Sequence, residues 1–112
     1  MARDSDFFDE LETRSADARA ASVAECLPEA IAHAKANAAG YGSALDDIDP
    51  ATITDRAALT SLPVLRKADL MRKQAEMPPL GGFNGLPLNQ IDMIFQSPGP
   101  IYEPGMRAGQ IG

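Results

Sequence analysis

Apolar positions in the first half of the chain recur with the period of a helix. They follow one another at intervals of four, four, three and four residues: Val23, Leu27, Ile31, Ala34 and Ala38. Residues at such intervals lie along one face of an α-helix. The pattern therefore predicts a long helix whose apolar face packs against another part of the protein.

The ends of this helix are marked by residues with clear positional preferences. Ser15 can accept a hydrogen bond from a backbone N–H of the first turn and is the predicted N-cap. The helix is predicted to end near Ala39 and Gly40, because glycine commonly follows the last helical residue. Pro28 lies inside the stretch and lacks an N–H, so we expect a kink, a break or the start of a second helix there.

A short helix and an extended connector are predicted next. Thr54 or Asp55 can cap a helix over residues 56–59. Residues 62–65 are predicted to be extended, because Pro63 disfavours the helical conformation in the residue before it.

A further helix is predicted over residues 67–75. Leu70 and Met71 are expected to face inward, while the basic residues of this segment face water. Met77 and the two prolines that follow it are expected to stop the helix.

Residues 91–96 are typical of a β-strand, and the proline-containing turn at 97–100 follows them. The sequence offers no obvious partner for this strand within the chain, and an isolated strand is not stable. Residues 105–112 carry neither a helix stop nor a closing hairpin. We therefore expect either that the chain is cut here or that the strand pairs with another molecule.

These elements predict a mainly α fold. The helices are expected to pack as an N-terminal helical subdomain with one or two short C-terminal strands, as a fragment of a larger α/β protein. We divide the chain into an arm at 1–14, a helical region at 15–78, and a region at 79–112 that contains a loop, a strand and a turn. The arm carries the aromatic pair Phe7 and Phe8 and is expected to dock onto something else.

The composition limits the size of the core. With 112 residues the chain is long enough for one domain at most. The hydrophobic fraction is 45%, but alanine is its most frequent member, and alanine buries little apolar area. We therefore expect a thin core and a partner surface that covers part of the apolar face.

Charge and cysteine content exclude several classes of function. The net charge of -6 and the pI near 4.6 disfavour nucleic-acid binding, because phosphate backbones are negative. No apolar run is long enough to suggest a membrane span. The single cysteine, Cys26, cannot form an internal disulfide and is expected to be a small buried group. We expect a cytoplasmic protein with neither nucleic-acid nor membrane partners.

Few residues are candidates for chemistry. His33 has no cysteine, serine or second histidine at a useful spacing, which favours a structural or solvated role. Asp46, Asp47 and Asp49 lack the spacing and the glycine of a calcium loop, and are interpreted as turn and capping residues. The glycine-rich loop at 80–87 has no strand before it and no helix after it, so it is weak evidence for phosphate binding. We predict no catalytic residue and no metal ligand.

The turn after the predicted strand has the most specific local geometry. Two prolines around Gly99 fix the backbone and leave Ser97, Tyr102 and Glu103 nearby. Rigid loops at strand ends often hold ligands. Alternatively, the prolines only protect the edge of an aggregation-prone strand.

Residues 54–70 resemble the N-terminal region of the phenylacetate-CoA ligases, which are adenylate-forming acyl-CoA synthetases. That family carries an L-x-x-L-P-x-x-x-K-x-D-L stretch before its phosphate loop. The residues that match it are Leu59, Leu62, Pro63, Lys67, Asp69 and Leu70. The resemblance extends more loosely over nearly the whole chain.

The resemblance breaks down at the phosphate loop. The segment that begins at Ser97 stands where the family has S-S-G-T-T-G-K-P, and only Ser97, Gly99 and Pro104 carry over. Glu103 replaces the family's lysine, and the prolines remove two N–H groups that could bind phosphate. ATP binding in the usual manner is therefore not expected. Ser97, Gly99 and Tyr102 are the predicted cofactor-binding residues at this degenerate position.

The resemblance implies an N-terminal structural segment of a phenylacetate-CoA ligase-like protein. This segment is expected to be inactive alone and to need no cofactor, with ATP, Mg²⁺ and CoA belonging to the complete protein. Its expected partner is the remainder of that protein or a second copy of the chain. Two alternatives stay open: a self-associating helical interaction module, and a homologue that binds an acyl or aromatic ligand without adenylating it.

Overall fold

The computed structural model of the protein describes residues 6–105. Its α-helices are α1 (Ala16–Asn37), α2 (Ala39–Gly42) and α3 (Lys67–Glu76), with short 3-10 turns at Pro50–Thr52, Ala58–Ser61 and Leu88–Gln90. The strands β1 (Met93–Ser97) and β2 (Ile101–Gly105) follow. The predicted fold class is confirmed, because the described residues are mainly helical and end in two short antiparallel strands. The prediction made for the residues after 105 lies outside the described residues.

Helix α1 begins where the sequence predicts. Ser15 Oγ accepts a hydrogen bond from the Ala18 N–H at 3.1 Å, so Ser15 is the N-cap. The helix is continuous through Pro28 as far as Asn37, so the chain does not break at the proline. Proline removes one backbone hydrogen bond, and the alanine-rich turns on either side have strong helical propensity. One lost bond is not enough to end this helix.

The apolar face of α1 is covered only in part. Val23, Leu27, Ile31 and Ala34 are half-buried, and Ala38, just beyond the helix, is 2% exposed. The buried apolar residues of the described chain are Ala38, Leu45, Ile53 and Leu80. This core is as thin as the composition predicts.

Cys26 is exposed, so the predicted burial of this residue is wrong. Cys26 precedes Leu27 and is turned about 100° around the helix from it. That rotation places the thiol away from the apolar face of α1.

The loop after α2 is fixed by side-chain contacts to backbone groups. Lys35 Nζ donates to the carbonyl oxygens of Asp46 and Ile48 at 2.9 and 2.8 Å. Asp49 Oδ1 accepts a hydrogen bond from the Ala51 N–H at 3.0 Å. Asp49 is thus a capping residue, as predicted.

The predicted short helix forms as a 3-10 turn at Ala58–Ser61, two positions later than the sequence indicates. Of the two predicted caps, Asp55 caps the turn that leads into this 3-10 helix, because its Oδ1 accepts from the Ala58 N–H at 2.8 Å, while the residue before the helix itself is Ala57. Leu62 is extended, as expected before Pro63.

Helix α3 matches its prediction closely and ends at Glu76, with Met77 as its C-cap. Leu70 and Met71 are half-buried. The most deeply buried side chain of α3 is Gln74, which is 4% exposed and was not predicted to face inward.

The outer face of α3 carries exposed ion pairs. Arg72 Nη1 lies 3.2 Å from Glu76 Oε1, and Arg72 Nη2 lies 3.5 Å from Asp69 Oδ1. The hydrogen bond to Glu76, followed by that to Asp69, raises the pKa of the Arg72 guanidinium above its ordinary value. Exposed pairs of this kind add little to stability.

The glycine-rich loop packs against α2. The Gly40 N–H donates to the Gly82 carbonyl at 2.8 Å. The Phe83 ring meets Tyr41 edge to face with ring centroids 4.9 Å apart, and Lys73 Nζ lies 5.3 Å from the centre of the Phe83 ring. The loop therefore links α2, α3 and the segment that leads to the strands.

The strand β1 has a partner within the chain, contrary to the prediction. It pairs with β2 in an antiparallel hairpin in which Ser97 lies opposite Ile101 and Met93 lies opposite Gly105. Pro104 lies opposite Ile94 in this hairpin. It does not prevent the pairing, because proline is tolerated on an edge strand at a position where the ladder needs no N–H donor. Within residues 6–105 no helix is both long and apolar enough to cross a membrane.

Candidate functional site

The candidate site is the hairpin turn, defined as residues 97–102. Ser97 Oγ donates to the Ile101 carbonyl at 3.3 Å and closes the turn from within. Gly99 has a φ of 151°, a conformation that favours glycine. Because prolines stand on both sides of Gly99, its N–H is the one backbone donor between Ser97 and Ile101.

Helix α3 brings a positive charge to the tip of the hairpin turn. Lys67 Nζ donates to the Pro98 carbonyl at 3.2 Å. The ammonium also lies close to Gly99, since a Cβ at that residue would be 3.3 Å from Nζ. The ion pairs found among residues 6–105 are those of Arg72, so no described carboxylate neutralises Lys67. The tip therefore has an ammonium group beside it.

The Tyr102 end of the hairpin turn is held by a second side chain of α3, that of Gln74. The Tyr102 N–H donates to Gln74 Oε1 at 2.9 Å, and Gln74 Nε2 donates to the Tyr102 carbonyl at 2.8 Å. Tyr102 is half-buried. Both backbone groups of Tyr102 are thus satisfied by one side chain of α3.

A cavity of about 570 Å³ lies between α3 and the hairpin turn. Its walls include Met71, Gln74 and Ala75 from the helix, with Pro100 and Tyr102 from the turn. Apart from Gln74, whose amide is occupied by Tyr102, these side chains are apolar or aromatic. The hairpin turn therefore borders a mostly apolar space.

The three predicted cofactor-binding residues lie together in the hairpin turn. Ser97 ends β1, Gly99 forms the tip, and Tyr102 lies in β2. Their role in binding a cofactor stays a prediction. Two residues near them were not predicted, Lys67 and Gln74. Lys67 carried a sequence signal, because it is the lysine of the L-x-x-L-P-x-x-x-K-x-D-L stretch, whereas Gln74 carried none.

Glu103 stands where the resembled family has a lysine, but it lies in β2 rather than at the tip. It is exposed and pairs with Phe95 in the ladder. The charge nearest the tip is therefore that of Lys67, which lies distant in sequence.

His33 lies on α1 and has few partners. Its Nδ1 is 3.3 Å from Asn37 Nδ2, while its Nε2 is buried without a hydrogen-bond partner among the described residues. Across the described part of the chain, no group of three His, Cys, Asp or Glu side chains could hold a metal ion. These observations define no second centre of chemistry within residues 6–105.

The fold of the chain is similar to a part of three solved structures of a CoA ligase. The chain is similar to the crystal structure of 2-hydroxyisobutyryl-CoA ligase in the postadenylation state in complex with R3-HIB-AMP. That similarity has a TM-score of 0.73 at 22% sequence identity, over 91% of this chain and 23% of the ligase chain.

Two further structures of 2-hydroxyisobutyryl-CoA ligase give a similar result. The postadenylation complex with 2-HIB-AMP matches with a TM-score of 0.67 and 23% identity, over 78% of this chain and 19% of that one. The complex with 2-HIB-AMP and CoA in the thioesterification state matches with a TM-score of 0.66 and 22% identity, over 80% and 20%.

At this level of identity the similarity shows the fold. The chain spans about a fifth of the length of the ligase structures that it matches. No protein-family model matches the chain, and no curated protein matches it.

Proposed function

We propose that this chain is the N-terminal segment of an AMP-forming acid–CoA ligase that resembles the phenylacetate-CoA ligases. The observation that carries this proposal is the structural match, which covers 91% of this chain but only 23% of the ligase. The motif around Lys67 supports the same conclusion independently, because it is a property of the amino-acid sequence and does not depend on the shape of the backbone.

The role of the segment is to support the larger, nucleotide-binding part of the protein. Its surface is suited to this, since Met93 and Phe95 are two residues apart on β1, lie on one face of the strand, and are each 56% exposed. Exposed apolar side chains that lie close together mark surfaces that other protein covers. The remainder of the ligase is the partner that we propose for them.

By itself the segment is inactive. In the complete ligase, ATP would supply the AMP group that activates the acid, and the hairpin turn would lie beside its phosphates. The groups of this chain that suit a phosphate are the Lys67 ammonium, the Ser97 hydroxyl and the Gly99 N–H. Lys67 supplies a positive charge beside the tip, but this lysine belongs to the stretch shared with the resembled family and does not replace the lysine that is lost at Glu103.

A homologue that binds an acid without adenylating it is the second candidate. The single backbone N–H at the tip of the hairpin turn favours it, because phosphate loops bind through several N–H groups. The apolar cavity beside Tyr102 is compatible with either function.

The test is pyrophosphate release by the complete protein, expressed from its whole reading frame. ATP, Mg²⁺ and one acid are supplied, chosen in turn from phenylacetate, other aryl acids and short acyl acids such as 2-hydroxyisobutyrate. We expect release with at least one acid and none from the 112-residue chain assayed in parallel. Acid binding without pyrophosphate would support the non-adenylating homologue, and turnover by the short chain would contradict its inactivity.

A further inference from the structure

A side chain of α3 takes the place of a third strand beside β2. Gln74 is buried, and its amide accepts from the Tyr102 N–H and donates to the Tyr102 carbonyl at 2.9 and 2.8 Å. A neighbouring strand would make the same two bonds to a single residue of β2. Both polar groups of the buried amide are thus satisfied, which removes the cost of burying them.

The register of the hairpin agrees with this arrangement. Residue pairs in an antiparallel ladder alternate between those that bond each other and those whose backbone groups point outward. The backbone N–H and carbonyl of Tyr102 point away from β1 and toward Gln74, so the Gln96–Tyr102 pair is one whose backbone groups do not bond each other. The neighbouring Ser97–Ile101 pair, which closes the turn, is therefore one whose backbone groups do bond each other. Gln74 therefore hydrogen-bonds the first residue of β2 whose backbone groups face away from β1.

The same helix holds the tip of the turn. Lys67 Nζ donates to the Pro98 carbonyl, and the Lys67 side chain crosses Gly99 so closely that a Cβ there would lie 3.1 Å from Lys67 Cε. Lys67 and Gln74 are about two turns apart on α3, which places them on one side of the helix. A single rigid element thus holds both the tip and the Tyr102 end of the turn.

We infer that Gln74 is a positioning residue for the hairpin turn. It acts through the backbone of Tyr102 and sets where the turn lies relative to α3, with Lys67 as the second tether. The consequence for a nucleotide rests on the proposed function, in which this turn lies beside the phosphates of ATP.

The first test needs only the 112-residue chain and measures amide hydrogen exchange by NMR. Gln74→Met keeps the side-chain length but removes both bonds, so the Tyr102 amide should exchange faster by roughly tenfold, as expected for the loss of one hydrogen bond. Amides in α1 should be unaffected. Gln90→Met is the matched control, because Gln90 is exposed in a 3-10 turn and its side chain makes no hydrogen bond within residues 6–105.

A second variant covers the case in which Gln74→Met unfolds the chain, which would appear as lost protection in α1. Gln74→Asn keeps the amide, but its side chain is one methylene too short to reach both groups of Tyr102. The same selective acceleration is expected in this variant. Unchanged exchange at Tyr102 in a folded variant would overturn the inference, as would equal acceleration in Gln90→Met.

The second test uses the complete protein and separates the two proposals. Gln74→Met should raise the KM for ATP several-fold and leave the KM for the acid unchanged, because only the turn moves. If the complete protein does not use ATP while the exchange result holds, the proposed function fails and Gln74 still positions the turn. If the exchange result fails, the inference is wrong whatever the activity.

Discussion

Gly40 is required at its position because an aromatic ring occupies the space of a side chain. A Cβ on Gly40 would lie 2.9 Å from three ring carbons of Phe83, closer than real contacts allow. The ring cannot easily move aside, since it also meets Tyr41 and lies under Lys73. One small residue thus allows the glycine-rich loop to pack on α2.

This contact predicts the effect of Gly40→Ala on stability. Overpacking of this kind costs about 1–3 kcal/mol. The control is Gly42→Ala in the same short helix, where the nearest atom to a new Cβ is the Lys35 carbonyl oxygen at 3.6 Å. Urea unfolding followed by circular dichroism should show a lower midpoint for Gly40→Ala only. Equal midpoints for the two variants would contradict the packing described here.

At the residue scale, the sequence predicts what is local and misses what folding brings together. Ser15, Asp49 and Asp55 cap turns formed by their own neighbours, and all three were predicted from position and side chain. Gln74 was missed, because a glutamine in a helix normally faces water and its partner Tyr102 is distant in sequence. Lys67 was identified as a motif residue, but its contact with the turn needed the fold.

At the scale of elements, one side of β1 is an open edge within residues 6–105. The register and the Gln74 bonds imply that Ile94 and Gln96 direct their backbone groups away from β2. All five residues of β1 are exposed. An exposed edge with apolar side chains is a template for pairing with another strand. The outer edge of β2, by contrast, is occupied at Tyr102 and lacks an N–H at Pro104.

The open edge predicts that the 112-residue chain associates with itself when its proper partner is missing. Ile94→Lys should reduce this association, because a lysine on an edge strand opposes pairing. Thr54→Lys is the control, since Thr54 is exposed outside the strands and the substitution changes the net charge equally. Sedimentation velocity over a wide range of concentrations should show Ile94→Lys as the more monomeric variant. Equal association of both variants would exclude β1 as the interface.

Two outcomes at this scale involve prolines inside regular elements. Of the kink, the break and the second helix that Pro28 suggested, the break and the second helix do not occur, because one missing bond does not outweigh a long alanine-rich helix. The sequence offered no obvious partner for β1, yet β2 pairs with it and contains Pro104. Its position at an edge, where no ladder bond is needed, makes the strand compatible with it. Such effects depend on the neighbours of the proline in space.

At the scale of the whole molecule, the chain is more extended than a complete domain. Its radius of gyration is 16.5 Å, whereas a compact domain of this length has about 13 Å. Together with the thin core, this supports the proposal that a larger body covers the segment. The mainly helical fold class was predicted from composition and pattern and is confirmed, whereas the dependence on a partner stays a prediction.

The central claim is that this chain is the start of a ligase several times its length, and the most direct measurement is the sequence of the complete transcript beyond codon 112. We predict that the frame continues for several hundred codons and encodes a nucleotide-binding domain of the adenylate-forming type. A stop codon directly after Gly112 would contradict the claim and favour the self-associating module.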